Sequence, residues 1–186
     1  MLNLRQLIIG FLNYLQNNSN IEIYNEYSLQ YELAVYLHSQ LNGQGYKVQI
    51  ERPVQYFFNG INKNATVKHR IDISIYNSSA RYAIELKYPT KGQYPEQMYA
   101  FVKDIKFIEE LKNLGFNNTC VFTLVDDPLF TTGRLFNGIY QYFRNNPNTP
   151  ISGTIKNLTL SGQYTVQWVQ FPQNIISNSR YYFFVI

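Results

Sequence analysis

Two short apolar segments, each interrupted by one acidic residue and joined by a polar turn, constrain this chain more than any other feature. Arg70-Ile71-Asp72-Ile73-Ser74-Ile75 carries Asp72, and Tyr82-Ala83-Ile84-Glu85-Leu86-Lys87 carries Glu85. Both segments read as strands, because β-branched and aromatic side chains suit a pleated, packed surface. Asn77-Ser78-Ser79-Ala80 between them reads as a turn, so the pair forms a hairpin. A charged side chain flanked by Ile or Leu inside a strand is costly to bury unless it is paired or holds a cation. Lys87 lies two residues past Glu85 and therefore points to the same side of the sheet.

What surrounds the hairpin sets its place in a larger fold. Leu4, Leu7, Ile8, Phe11, Leu12 and Leu15 fall at helical spacing and predict an N-terminal amphipathic helix to about Gln16. A second helix is expected from Ser28, as N-cap, to about Leu41. Tyr46 to Arg52 reads as a strand that Pro53 closes or bends, with Val54 to Phe58 as a continuation of the sheet. Pro95 suits the first position of a helix that Gly115 ends, with Tyr94, Met98, Phe101, Ile105, Ile108 and Leu111 as its buried stripe. Asn118 to Val125 is apolar throughout its interior and predicts a central strand, parallel to 81–87 through that crossover helix. Leu135 to Phe143 is expected to be helical. Alternating segments beyond Pro150, including 164–171 and 181–186, predict further strands.

The bulk composition agrees and excludes several classes. With 186 residues, 45% apolar and 15% charged, the chain is expected to fold as a single domain over residues 1–186. Its net charge of +4 is compatible with a polyanionic partner and does not require one. A single cysteine, Cys120, excludes an internal disulfide and a zinc cluster, and its apolar neighbours predict a buried thiol. No apolar run is long enough to span a membrane. Gln6, Gly10 and Asn13 break the apolar start and no cleavage site follows, so a cytoplasmic location is expected. Ser-nucleophile, P-loop and dinucleotide-binding motifs are absent.

Asp72 and Glu85 across a hairpin, with the carbonyl of Leu86, can supply one face of an Mg²⁺ octahedron completed by water and substrate oxygens. Lys87 could orient an attacking water there. The arrangement resembles the PD-(D/E)XK nuclease superfamily, with its restriction-endonuclease-like fold. Asp72 stands for the first element of the motif, with Ile71 in the place of the Pro, and Glu85-Leu86-Lys87 stands for the second. The resemblance covers about residues 28–126, with 127–186 as C-terminal elaboration. It implies an α/β fold: a central mixed β-sheet flanked by helices, plus an N-terminal helix and extra C-terminal strands. It also implies hydrolysis of phosphodiester bonds in DNA, with RNA not excluded, in restriction, defence or repair. Asp72, Glu85 and Leu86 would bind Mg²⁺ or Mn²⁺, and Lys87 would act on the water. Glu32 would be the acid that family members often carry on the first core helix, supporting the metal. Gln97 matches in part the Gln of RecB-type nucleases. A homodimer is a further expectation, since two strands need two sites.

Acid-x-Lys triplets are common by chance, and Asp104-Ile105-Lys106 and Glu110-Leu111-Lys112 are two more. Both fall on the predicted helix, where i and i+2 do not face each other. Order and context therefore carry the inference, and Asp104 is expected to be a structural ion-pair partner. Lys68-His69-Arg70 could touch phosphates. The competing readings are a surface role for Glu85 and Lys87, and pairing of Asp72 with Arg70 or Arg81. At the level of function the alternatives are a non-catalytic nucleic-acid- or protein-binding member of the same fold, or a small α/β interaction protein with an accidental motif.

Overall fold

The computed structural model describes residues 2–89, 92–172 and 178–186. Helix α1 (Leu4–Asn17) and helix α2 (Glu26–Leu41) precede strand β1 (Lys47–Pro53). The hairpin is β2 (Arg70–Tyr76) and β3 (Arg81–Lys87), followed by α3 (Tyr94–Asn113) and β4 (Asn118–Val125). A separate two-stranded sheet, β5 (Ile151–Ile155) and β6 (Leu158–Tyr164), comes next, then β7 (Val169–Gln170) and β8 (Arg180–Val185). The main sheet is mixed and six-stranded, in the order β1-β2-β3-β4-β8-β7. Among the described residues only the β3–β4 pair is parallel, joined by α3 as its crossover. The result is an α/β fold with helices on both faces.

Each face has its own apolar core. Ile8, Phe11 and Leu15 of α1 and Leu29, Leu33 and Leu37 of α2 pack on Ile73, Ile75, Ile84, Leu86 and Phe122. On the other face Met98, Phe101, Ile105 and Ile108 of α3 meet Val121, Val125 and Tyr182, with Ile155 and Leu160 of the small sheet. Cys120 is buried in the first core, and that burial pushes its thiol pKa well up. Among the described residues no helix is long and apolar enough to cross a membrane.

Local chemistry explains where the elements start and stop. Asn25, not Ser28, caps α2: its side chain accepts from Ser28 N at 2.8 Å, and Ser28 Oγ accepts from Asn25 N at 3.0 Å. Ser28 is thus the third helical residue of a capping box, and the cap lies three residues earlier than expected, at Asn25. The β2–β3 turn is held by Asn77, whose Oδ1 accepts from Ser79 N and Ala80 N at 2.9 and 2.8 Å. Val54–Tyr56 is a 3-10 turn rather than a continuation of the sheet. Pro53, which has no N–H for a ladder, ends β1 there. The helix expected over 135–143 is only a 3-10 segment, Gly138–Tyr142. The strand expected over 164–171 is split: β6 ends at Tyr164, and the short edge strand β7 follows.

Candidate active site

The β2–β3 hairpin does not stay paired along its length. The two strands are in register from Tyr76↔Arg81 to Ile73↔Ile84 and then part. Ile73 lies in the core under α2, whereas Ile71 lies in a small third core with Ala83, Phe107 and Leu111 under α3. Two residues apart on one strand would share a face, so β2 turns over between them, at Asp72. Opposite that turn Glu51 of β1, between the paired positions Ile50↔Ile73 and Arg52↔Ile71, has a left-handed φ of 53°. The edge of the sheet is twisted open at this point.

Carboxylates fill the opening. Asp72 Oδ2 accepts from the backbone N of Leu86 at 2.7 Å, and Asp72 N donates to Glu85 Oε1 at 3.2 Å. Side chains thereby replace the missing ladder bonds. Glu85 is fully buried, which removes the surface reading of this residue. Its other oxygen, Oε2, pairs with the ammonium of Lys68, which also reaches Asp104 Oδ1 at 2.9 Å. Asp104 comes from α3 and is itself buried, with Oδ2 left without a hydrogen-bond partner among the described residues. At the open end Lys87 pairs with Glu26 Oε2 at 3.2 Å, and the same oxygen accepts from Tyr88 N at 3.0 Å. Gln30, buried one turn along α2 from Glu26, donates to the carbonyl of Asp72 at 2.9 Å and to Glu51 Oε1 at 3.1 Å.

The electrostatics follow from this crowding. Burial pushes the Asp72 pKa up to about 6, and Asp104 and Glu26 add to the rise against the pull of Lys68 and the Leu86 N–H. Burial and then the neighbouring Asp72 hold Glu85 well above the ordinary glutamate range. Asp104 is raised by burial, with Lys68 and Lys87 opposing. Burial alone would lower Lys68, but Glu85, Asp104 and Asp72 together raise it well above the ordinary lysine value. Four carboxylates and two ammonium groups thus act on one another, which leaves two negative charges over when all are ionised. Such a cluster is relieved either by protons or by a cation.

The sequence expectations divide here. Asp72, Glu85 and Leu86 are brought together, and Lys87 pairs with Glu26 beside them and acts on Asp104. Arg70 reaches the carbonyl of Glu51 and Arg81 stacks over Phe58, so neither pairs with Asp72. Glu32 is half-buried on α2 and Gln97 is half-buried on α3, and neither bonds to these groups among the described residues. Glu26 is the α2 acid that reaches Lys87. Asp104 has the ion-pair role expected of it, within the cluster. Lys68 turns inward, leaving His69 and Arg70 exposed. Two signals were available in the chain. Asn25 caps as well as Ser28 does, which moves the helix start to Glu26. Asp104 follows Phe101 by three residues and precedes Ile108 by four, which sets a charge on the apolar stripe. Among the described residues, no group of three or more His, Cys, Asp or Glu side chains is arranged to hold a metal ion as the side chains stand. Comparison with protein-family models, with curated proteins and with solved structures gives no match.

Proposed function

We propose that this chain is a Mg²⁺-dependent nuclease of the PD-(D/E)XK superfamily that hydrolyses phosphodiester bonds in DNA. One observation carries the reading: Asp72 and Glu85 meet where β2 and β3 part, with Lys87 leading out of the same strand. The order helix, three strands, helix, strand (α2, β1, β2, β3, α3, β4) supports it, as does the parallel β3–β4 pair. Mg²⁺ takes one or two carboxylates and completes its shell with water and phosphate oxygens. Asp72, Glu85 and the Leu86 carbonyl fit that donor set, and the unpartnered Oδ2 of Asp104 adds a buried negative charge beside them. When bound, the cation supplies activation of water and neutralisation of charge on the phosphate.

The remaining work belongs to the chain. Asp72 and Glu85 hold a fixed spacing because each is tied to the other strand through a backbone N–H. Lys87 presents an ammonium at the mouth of the cluster, where it orients the attacking water. Glu26 holds that ammonium in place and is itself anchored by Tyr88 N. Gln30 fixes the Asp72 carbonyl and so the turn-over of β2. Cleavage of both strands of a duplex by one such site per chain calls for a homodimer.

The test is cleavage of supercoiled, linear and single-stranded DNA with Mg²⁺ or Mn²⁺. Wild type cuts, while Asp72→Asn, Glu85→Gln and Lys87→Ala do not, with thermal unfolding showing each variant folded. Cutting by these variants at the wild-type rate would sink the proposal. A second reading has one observation in its favour: the Lys68 ammonium already joins Glu85 and Asp104, as in a structural ion cluster of a non-catalytic binding protein. Calorimetric titration separates the two, because a structural cluster takes up no Mg²⁺ or Mn²⁺.

A further inference from the structure

The outer ridge of α2 carries aromatic rings that no packing requirement explains. Tyr27 and Tyr31 are 76% and 62% exposed, and Tyr24, just before the helix cap, is 68% exposed. Among the described residues most other tyrosines are packed against rings, such as Tyr36 on Phe11 and Tyr46 on Tyr82. Tyr27 and Tyr31 make no ring contact among the described residues and lie four apart, one above the other on the helix. Each directly follows a residue that touches the carboxylate cluster: Tyr27 follows Glu26, and Tyr31 follows Gln30. Their ridge is therefore one step round the helix from the cluster.

Tyr31 also begins a groove of about 530 Å³ between α2 and β1. Val35 and His38 continue its helix wall, and Ile50, Glu51 and Arg52 form the strand wall. Ile50 is 50% exposed, at the open edge of the sheet. Arg52 bonds to Gln49 rather than to an acid and lies 4.0 Å over the exposed ring of Tyr56. Glu51 accepts from Gln30, whose buried amide also reaches the Asp72 carbonyl, so one side chain separates the end of the groove from the turn of β2 at Asp72.

We infer that this ridge and groove bind an unpaired strand of nucleic acid and lead it to Asp72 and Glu85. Bases present an apolar π-face to any exposed ring, and stacking of this kind is indifferent to sequence. The rise of about 6 Å between Tyr27 and Tyr31 suits successive bases of an extended strand. A duplex keeps its bases stacked on one another and gives such rings nothing to take. The cationic Arg52 beside Tyr56 donates to a phosphate or stacks on a further base. The inference rests on the proposed phosphodiester chemistry for its direction, toward the cluster, but it is tested by binding alone.

The probe is a fluorescein-labelled oligothymidylate of about 15 nucleotides, with the same length of duplex as comparator, in EDTA so that no cleavage occurs. Wild type binds the single strand more tightly than the duplex. Tyr27→Ala/Tyr31→Ala weakens single-strand binding about tenfold or more, Tyr27→Phe/Tyr31→Phe restores it, and thermal midpoints stay unchanged because the rings are exposed. Equal binding of single strand and duplex, or alanine variants within twofold of wild type, overturns the inference. So does a concentration-dependent dimer that Ile50→Asp dissociates with single-strand binding intact, which makes the groove a contact between copies. Tyrosine-dependent strand binding by a wild-type chain that never cuts would uphold the groove and reject the nuclease reading.

Discussion

Helix α3 bears two buried acids, five residues apart, that face opposite kinds of neighbour. Glu109 is surrounded by donors: Ser161 N at 2.9 Å to each oxygen, Gly162 N at 2.7 Å and the Tyr164 hydroxyl at 2.9 Å. It fastens the β5–β6 hairpin to the helix, and its charge is stabilised by fixed N–H groups. Asp104 instead faces Glu85 and Asp72 across Lys68, with one oxygen unpartnered. Burial is the same in both places, so burial does not mark a functional acid. What differs is the sign of what each acid faces. Donors fix one structure, whereas carboxylates turned toward carboxylates leave a demand for positive charge.

The largest effect expected from this contrast is on stability at Glu109. Glu109→Ala strands two backbone N–H groups and a hydroxyl, at a cost of about 3–5 kcal/mol read by urea denaturation. Asp72→Asn should do the reverse in metal-free protein, with a gain on the order of 1–3 kcal/mol at pH 8. A loss there would break the comparison. The sign follows from linkage. With its folded pKa raised to about 6 from an ordinary 3.8, Asp72 keeps a proton in the folded chain that the unfolded chain has lost. Wild-type stability therefore falls as pH rises through that window, and the full cost is present above it. Asp72→Asn flattens that part of the profile.

Divalent cation should reverse the same slope. Mg²⁺ or Mn²⁺ is expected to raise the thermal midpoint at pH 8 and hardly at all at pH 4, where protons already neutralise the cluster. The shift should vanish in Asp72→Asn and persist in Glu109→Gln. A shift that survives in Asp72→Asn would place the ion elsewhere. The smallest effect is expected at the mouth of the cluster. Glu26→Gln should change stability by less than about 1 kcal/mol, since the Glu26–Lys87 pair is partly exposed. Under the proposed function it slows cleavage nonetheless, by releasing Lys87.

Much of the fold and half of the cluster were legible in the residues. The hairpin, the crossover helix and the parallel strand after it all match the structure, because apolar periodicity, a turn-forming Asn and a Pro–Gly pair are local signals. Asp72 and Glu85 were legible as acids out of place on apolar strands. Glu26, Lys68 and Gln30 were not, because nothing in a polar residue at a helix start or in a loop says which way it turns. Glu32 was the more inviting acid on α2, yet a helix begun at Glu26 turns Glu26 and Gln30 toward the strands.

The amino-acid sequence by itself determined the core run of helices and strands from α1 to β4, that one hairpin carries two misplaced acids, and that Cys120 is buried. Only the tertiary structure decided that β2 turns over at Asp72, that β8 pairs with β4, and that Lys68 and Asp104 converge on Glu85. The reason is physical. Periodicity and capping act over a few residues, whereas the electrostatics of this cluster depend on groups such as Glu26 and Lys87, which lie 61 positions apart in the chain and meet only when two cores close around the sheet.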